Sequence, residues 1–146
     1  DLYESRWEKI AKQDNATWPV VFKKMMAMEK MCVEAGGKLM AGTDPTGYGG
    51  VIAGFSNQRV VELLVETGFG IEEAIKISSL NAANYLDRDH EIGSIVPGKR
   101  ADMVLLDGDL SKNPVVIREM RTVFKQGIGY NTQKIVEKTK AVVGLH

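Results

Sequence analysis

One short apolar run, Lys38-Leu39-Met40-Ala41-Gly42-Thr43, constrains this chain more than any other feature. Its length and its flanking glycines favour a strand over a helix. Helical patterns lie on both sides of it. A lone strand leaves its backbone N–H and C=O groups without a ladder, so it needs sheet neighbours on both sides. Those neighbours are not in this sequence. The chain has 146 residues and opens Asp1-Leu2-Tyr3, without a Met or a signal-peptide pattern. It reads like the interior of something longer.

The remaining elements follow from periodicity and punctuation. Residues 1–16 show only a short helical turn around Glu4–Ala11. Thr17 is placed to cap a helix with Trp18 and Pro19 in its first turn. Trp18, Val21, Met25, Met28, Cys32 and Ala35 form its apolar stripe, and Gly36-Gly37 stops it. After the strand, Pro45 to Phe55 holds four glycines in eleven residues and is a loop. Ser56 is placed to cap a second helix, with Val60, Val61, Leu63 and Leu64 buried and Gly68 at its end. A third helix starts at Ile71, with Glu72 and Glu73 favoured by the helix dipole. Its stripe is Ile71, Ala74, Ile75, Ser78, Ala82 and Tyr85. The period then changes. Ile92 to Ile95, Ala101 to Leu106 and Arg121 to Lys125 read as strands, with a turn at Pro97-Gly98. Asn131 or Thr132 caps a last amphipathic helix carrying Ile135, Val136, Val142 and Val143.

Composition removes several function classes. Hydrophobic residues make up 44% and charged residues 26%, which excludes disorder for the bulk. Nineteen Lys and Arg balance nineteen Asp and Glu, so a nucleic-acid or anionic-membrane partner, which calls for basic excess, is not expected. No apolar run reaches the roughly 18–20 residues of a membrane helix. The single Cys32 has no internal disulfide partner, so the fold does not depend on oxidation. Two His and one Cys are too few for a self-contained His/Cys zinc site.

Asp44 is the foremost candidate for chemistry. A carboxylate just past an apolar strand, before a glycine-rich loop, is where α/β folds place metal ligands and catalytic bases. It also fits an Asp that starts a turn before Pro45, and spacing alone does not separate the two. The loop Thr46-Gly47-Tyr48-Gly49-Gly50 lacks the Gly-Lys-Ser/Thr of a P-loop and, at Ile52, the third glycine of a dinucleotide fingerprint. His90 sits in an acidic turn and reads as a surface residue. Cys32 and the methionines at 25, 26, 28 and 31 read as packing residues. Arg59 and Glu62 face out of their helix or into a loop.

Taken in order, these segments resemble the metal-dependent amidohydrolase superfamily. Leu39-Met40-Ala41-Gly42-Thr43-Asp44 looks like its last barrel strand. The run from Glu91-Ile92-Gly93-Ser94 through Pro97-Gly98-Lys99-Arg100-Ala101-Asp102 to Asp107-Gly108-Asp109 is similar to the signature with which these enzymes re-enter their β-sandwich domain. Val61-Glu62-Leu63-Leu64-Val65-Glu66-Thr67-Gly68, and Glu73-Ala74-Ile75 through Asn81-Ala82-Ala83, resemble the intervening helices. The resemblance covers roughly residues 20–130, and its nearest branch is that of imidazolonepropionase-related amidohydrolases and dipeptidases. Two departures lie in connections: Leu86-Asp87 stands where the family often has Leu-Gly, and Gly108-Asp109-Leu110 where it often has Gly-Asp-Pro.

The resemblance implies an α/β fold: the carboxyl-terminal part of a (β/α)8 barrel, with its last strand and flanking helices, plus part of a composite β-sandwich. Residues 1–88 would be barrel, 89–130 sandwich strands and 131–146 a carboxyl-terminal helix. A full barrel takes about 250 residues. The implied activity is hydrolysis of an amide-type C–N bond in a cyclic amide, amide or dipeptide, by water activated on a divalent metal, zinc foremost. One metal or two stays open. Asp44 maps onto the family Asp that ligates metal and shuttles a proton from the water. Thr46 and Tyr48 are candidates to touch substrate, because loops after barrel strands form that face. The charges of Lys99-Arg100-Ala101-Asp102 are expected to fix sandwich to barrel. The expected partners are a small amide or peptide substrate, the amino-terminal barrel segment of the same protein, and in some arrangements a second copy. The cytoplasm is the preferred compartment, with a secreted or periplasmic one still open. No His-x-His occurs, and one carboxylate does not hold a catalytic zinc, which needs about three protein ligands. The isolated chain is therefore expected to be inactive. The rival readings are a non-catalytic structural or interaction domain, and one piece of a split enzyme.

Overall fold

The computed structural model describes residues 17–44, 51 and 54–139. The chain divides into two units, residues 1–38 and 39–146. The turn around Glu4–Ala11, the loop residues Thr46 and Tyr48, and Val142 and Val143 lie outside the described residues.

The first unit holds helix α1, Thr17–Glu34, in which Thr17 is already helical. Its end is the glycine stop expected from the sequence. Gly36 takes φ +90°. The Gly36 N–H donates to Val33 O (2.9 Å) and the Gly37 N–H to Cys32 O (2.8 Å), the double bond of a left-handed helix cap. The expected burial of its stripe does not occur. No residue of α1 is buried, Trp18, Met25, Met28 and Met31 are exposed, and so is the Cys32 thiol. An amphipathic face buries only against a complementary surface.

In the second unit, residues 39–44 form no strand. The reason is the one that made the run conspicuous: a strand exists only as part of a ladder, and no strand lies beside this one among the described residues. Helices α2 (Phe55–Glu66), α3 (Ile71–Ser78) and α4 (Leu80–Tyr85) follow. The cap of α2 falls at Gly54, φ +86°, rather than at Ser56. Gly68, φ +100°, ends it, with the Phe69 N–H donating to Leu64 O at 3.1 Å. Val61, Leu64, Phe69, Ala74, Ile77 and Ala83 make the core. Val60 and Leu63, expected in it, are half-buried.

The single third helix of the sequence reading is two. Ser78 and Ser79 turn their hydroxyls back onto Ala74 O (2.8 Å) and Ile75 O (2.6 Å), and Ser79 leaves helical geometry at φ −139°, ψ −73°. Such back-bonding competes with the helix ladder. Before the break Ala74 and Ile77, three residues apart, form the buried face in place of Ile75; after it Ala83 is buried in place of Ala82, and Tyr85 is exposed.

The rest is a three-stranded antiparallel sheet in the order β1 (Met103–Leu106), β2 (Met120–Lys125), β3 (Ile128–Asn131). Between β1 and β2 lies a 3-10 helix, Pro114–Arg118, whose start is capped by Asn113 Oδ1 accepting from Val115 N at 3.0 Å. Ile92–Ile95 is not a strand. Gly93 takes φ +87° and passes so close to α4 that a Cβ there would lie 2.6 Å from Ala83 Cβ. Pro97-Gly98 does form its turn, with Gly98 at φ +93° and the Lys99 N–H donating to Val96 O at 3.2 Å. Strand β3, absent from the sequence reading, pairs with β2 across a two-residue loop in which Gln126 (φ +52°) and Gly127 (φ +81°) are both left-handed. Helix α5, Thr132–Thr139, is capped by Asn131, whose Oδ1 accepts from Lys134 N at 3.0 Å.

Candidate active site

Asp44 ends the apolar run and is exposed. Its φ of +39° is left-handed, a conformation that Asp and Asn adopt more readily than other L-residues. Three hydrogen bonds hold the segment that delivers it, one from each of α4, α3 and α2. Asn81 Nδ2 donates to Leu39 O at 2.7 Å. The Ala41 N–H donates to Ile77 O at 3.2 Å. Thr43 Oγ1 donates to Asn57 Oδ1 at 3.0 Å. The sequence singled out Asp44 and marked Asn81 only as part of a family-like helix, and Asn57 carried no signal beyond being a helical Asn.

The donor set for a metal ion is thin. Among the described residues no three His, Cys, Asp or Glu side chains gather into a group that would hold one. Asp44 by itself does not fit an ion that takes about three protein ligands.

The strongest electrostatic feature lies elsewhere. Glu62 of α2 is 5% exposed, so it faces neither solvent nor a loop, the two places its sequence allowed. It accepts from Arg118 Nε (2.5 Å) and Arg118 Nη2 (2.9 Å) in a fork, and from Arg59 Nη1 (2.9 Å). Arg59 also reaches Glu66 Oε1 at 2.5 Å and Oε2 at 3.1 Å. The Arg118 bonds hold the Glu62 carboxyl below the usual carboxylate range, and Glu62 raises Arg118 in turn. The pair joins α2 to the 3-10 helix before β2.

Asp102 is also held low, by the Lys125 ammonium at 2.8 Å and then by the Gln126 N–H at 2.7 Å. Arg100 Nη2 adds a contact at 2.8 Å. These contacts bind the approach to β1 to the β2–β3 turn within one sheet. His90 is an exposed side chain beside Glu91. A cleft of about 640 Å³ runs past Phe55, Gln58, Arg118, Met120, Thr132 and Val136, and Asp44 does not line it.

The model of the family described as "Amidohydrolase family" matches residues 9–140. The chain belongs to the amidohydrolase family. An adenine deaminase from Paracoccus denitrificans (strain Pd 1222) is 36% identical over 86 residues, 59% of this chain and 13% of the deaminase. An imidazolonepropionase from Geobacillus sp. (strain WCH70) is 34% identical over 79 residues, 54% of this chain and 16% of that protein. Among solved structures, a Xaa-Pro dipeptidase with methionine bound in its active site aligns at a TM-score of 0.64 and 26% identity. The match covers 75% of this chain and 25% of the dipeptidase. This amidohydrolase chain thus spans about a seventh of the curated relatives it matches and has an α/β fold akin to theirs. Asp87 stands at φ +55°, with the Asp87 N–H on Asn84 O (3.1 Å) and the Arg88 N–H on Ala83 O (2.9 Å), a left-handed helix cap without glycine.

Proposed function

We propose that this chain is the carboxyl-terminal part of a hydrolase that cleaves an amide-type C–N bond with a water activated by a divalent metal, zinc foremost. The observation that carries the reading is the family match over residues 9–140, whose relatives include a deaminase and a dipeptidase. Both names describe cleavage of a bond between carbon and nitrogen. In this reading residues 1–88 complete the barrel, 89–130 contribute sandwich strands, and 131–146 form the terminal helix. Asp44 supplies one carboxylate of the metal site and holds the proton taken from water. The other ligands come from the amino-terminal segment of the same protein, because the described residues do not make the ion's site by themselves. The metal, when bound, lowers the pKa of a water molecule toward neutrality. Thr46 and Tyr48 line the substrate side of the pocket.

The test uses the intact protein, assayed with Met-Pro dipeptide and with adenine, with bound metal measured on the same sample. Turnover of either substrate together with bound divalent metal is expected. Loss of turnover in Asp44→Asn is expected too, and this variant is a clean probe. Asn tolerates left-handed backbone as Asp does, so the change removes a charge without disturbing the chain. Turnover of neither substrate, or full activity with normal metal in Asp44→Asn, overturns the reading.

A further inference from the structure

We infer that Asn57 is a positioning residue for Asp44, acting through the Thr43 hydroxyl. The inference rests on the role proposed for Asp44 and adds to it a residue outside the motif that points to that carboxylate. Asp44 is exposed and left-handed, so nothing about its own burial fixes where its carboxylate points. The residue before it is fixed. Thr43 is half-buried and its Oγ1 donates to Asn57 Oδ1 at 3.0 Å. This bond spans fourteen residues of sequence, across the glycine-rich loop. It also lies closer to Asp44 than the two bonds that hold Leu39 and Ala41. Those two set how far the segment advances. The Thr43 bond sets the rotation of the last peptide before the carboxylate.

Asn57 is itself well placed for this task. It lies in the first turn of α2, and α2 is anchored by Val61 and Leu64 in the core and by Glu62 on Arg118. An acceptor on so constrained a helix holds its partner to a narrow geometry. A misplacement of about 1 Å costs on the order of a hundredfold in rate, so a bond that removes part of that freedom acts on kcat.

The experiment measures kcat, KM and Tm in the intact protein for Asn57→Ala, Thr43→Val, Thr43→Ser and the double variant Asn57→Ala/Thr43→Val. The substrate is whichever of Met-Pro or adenine it turns over faster, and Asp44→Asn is run in parallel. Asn57→Ala and Thr43→Val are each expected to lower kcat about five- to tenfold, the size of one hydrogen bond. KM should stay within about twofold, and Tm should move by less than about 2 °C, because the bond is exposed. Thr43→Ser keeps the donor and should recover most of kcat. The double variant should lose no more than either single one, as expected of two residues acting through one bond. Unchanged kcat in both single variants overturns the inference, and so do multiplicative losses in the double variant or a loss that follows Tm. If Asp44→Asn is inactive while Asn57→Ala is normal, only the positioning role fails. If Asp44→Asn is fully active, or neither substrate is turned over, the role of Asp44 fails and this inference falls with it.

Discussion

Glu62→Gln offers the sharpest test of the forces read from this structure. The native carboxylate accepts three hydrogen bonds from two guanidinium groups while only 5% exposed. Gln keeps the volume and one acceptor oxygen but replaces the other with an NH2 donor, which must then face an arginine donor. At least one charge-assisted bond is lost, each worth roughly 1.5–3 kcal/mol. The full penalty of a broken buried pair, about 3–5 kcal/mol, does not apply. The arginines left behind are close to half-exposed, 42% and 43%, and regain water, and Arg59 keeps Glu66. The expected destabilisation is about 2 kcal/mol. Urea unfolding of the intact protein checks it, as a lower midpoint at unchanged slope. The pH dependence has a definite sign. The Glu62 carboxyl is depressed in the folded protein, so its contribution is complete above its unfolded pKa and is lost as pH falls through the lower folded value. Glu62→Gln should therefore flatten the acid limb of the stability curve. A loss below about 0.5 kcal/mol, the level of an ordinary surface change, or an acid limb identical to the native one, would refute this account of the network.

Three further outcomes are expected. Gly93→Ala should cost about 2–4 kcal/mol in thermal unfolding, from positive φ plus a Cβ driven to 2.6 Å from Ala83 Cβ, whereas Gly98→Ala, with open space around it, should cost only the backbone term of about 1–2 kcal/mol. Asp87→Gly should stabilise by up to about 1 kcal/mol, since φ +55° at a helix cap suits glycine better, and a higher urea midpoint would show it. Gln126→Asn should raise Tm slightly, by about 0.5 kcal/mol of turn preference, because both loop residues are left-handed and Asn tolerates that backbone better than Gln.

How much of this was legible in the sequence depended on how far each signal reached. The glycine stops at Gly36 and Gly68 and the Pro97-Gly98 turn were legible because their physics is local to a few residues. Asp44 was marked as a candidate by a local pattern, an apolar run ending in a carboxylate, but only the resemblance gave it a role. The Ser78-Ser79 break was not, since a serine hydroxyl that turns back on its helix looks in sequence like any exposed serine. Strand β3 was hidden behind Gln126-Gly127, a turn without the usual Asn. The alternation at 92–95 misled because Gly93 answers to Ala83, ten residues earlier, and not to a strand partner. Glu62 was the largest miss. Its burial depends on Arg118, 56 residues away, and periodicity carries no trace of such a pairing. The run at 38–43 was read as a strand, and the structure shows none, because a strand is a property of two segments side by side and one segment does not supply it.

Helix α2 links these observations. At about 100° per residue, Asn57, Val61 and Leu64 fall on one face, and Glu62 lies about 130° away, more than a third of a turn. The apolar pair therefore buries the same face that presents Asn57 to Thr43. Apolar burial is non-directional, so on its own it would allow the helix to rock about its axis. The forked bond from Arg118 to Glu62 is directional, and it acts off the axis of the buried face, where it resists rotation best. The buried Glu62 carboxylate ties α2 to the 3-10 helix before β2. Glu62→Gln should thus weaken the hold on Thr43 as well as the fold. A double-mutant cycle on kcat would show this as coupling between Glu62→Gln and Asn57→Ala, and additive losses would separate the helix from the site.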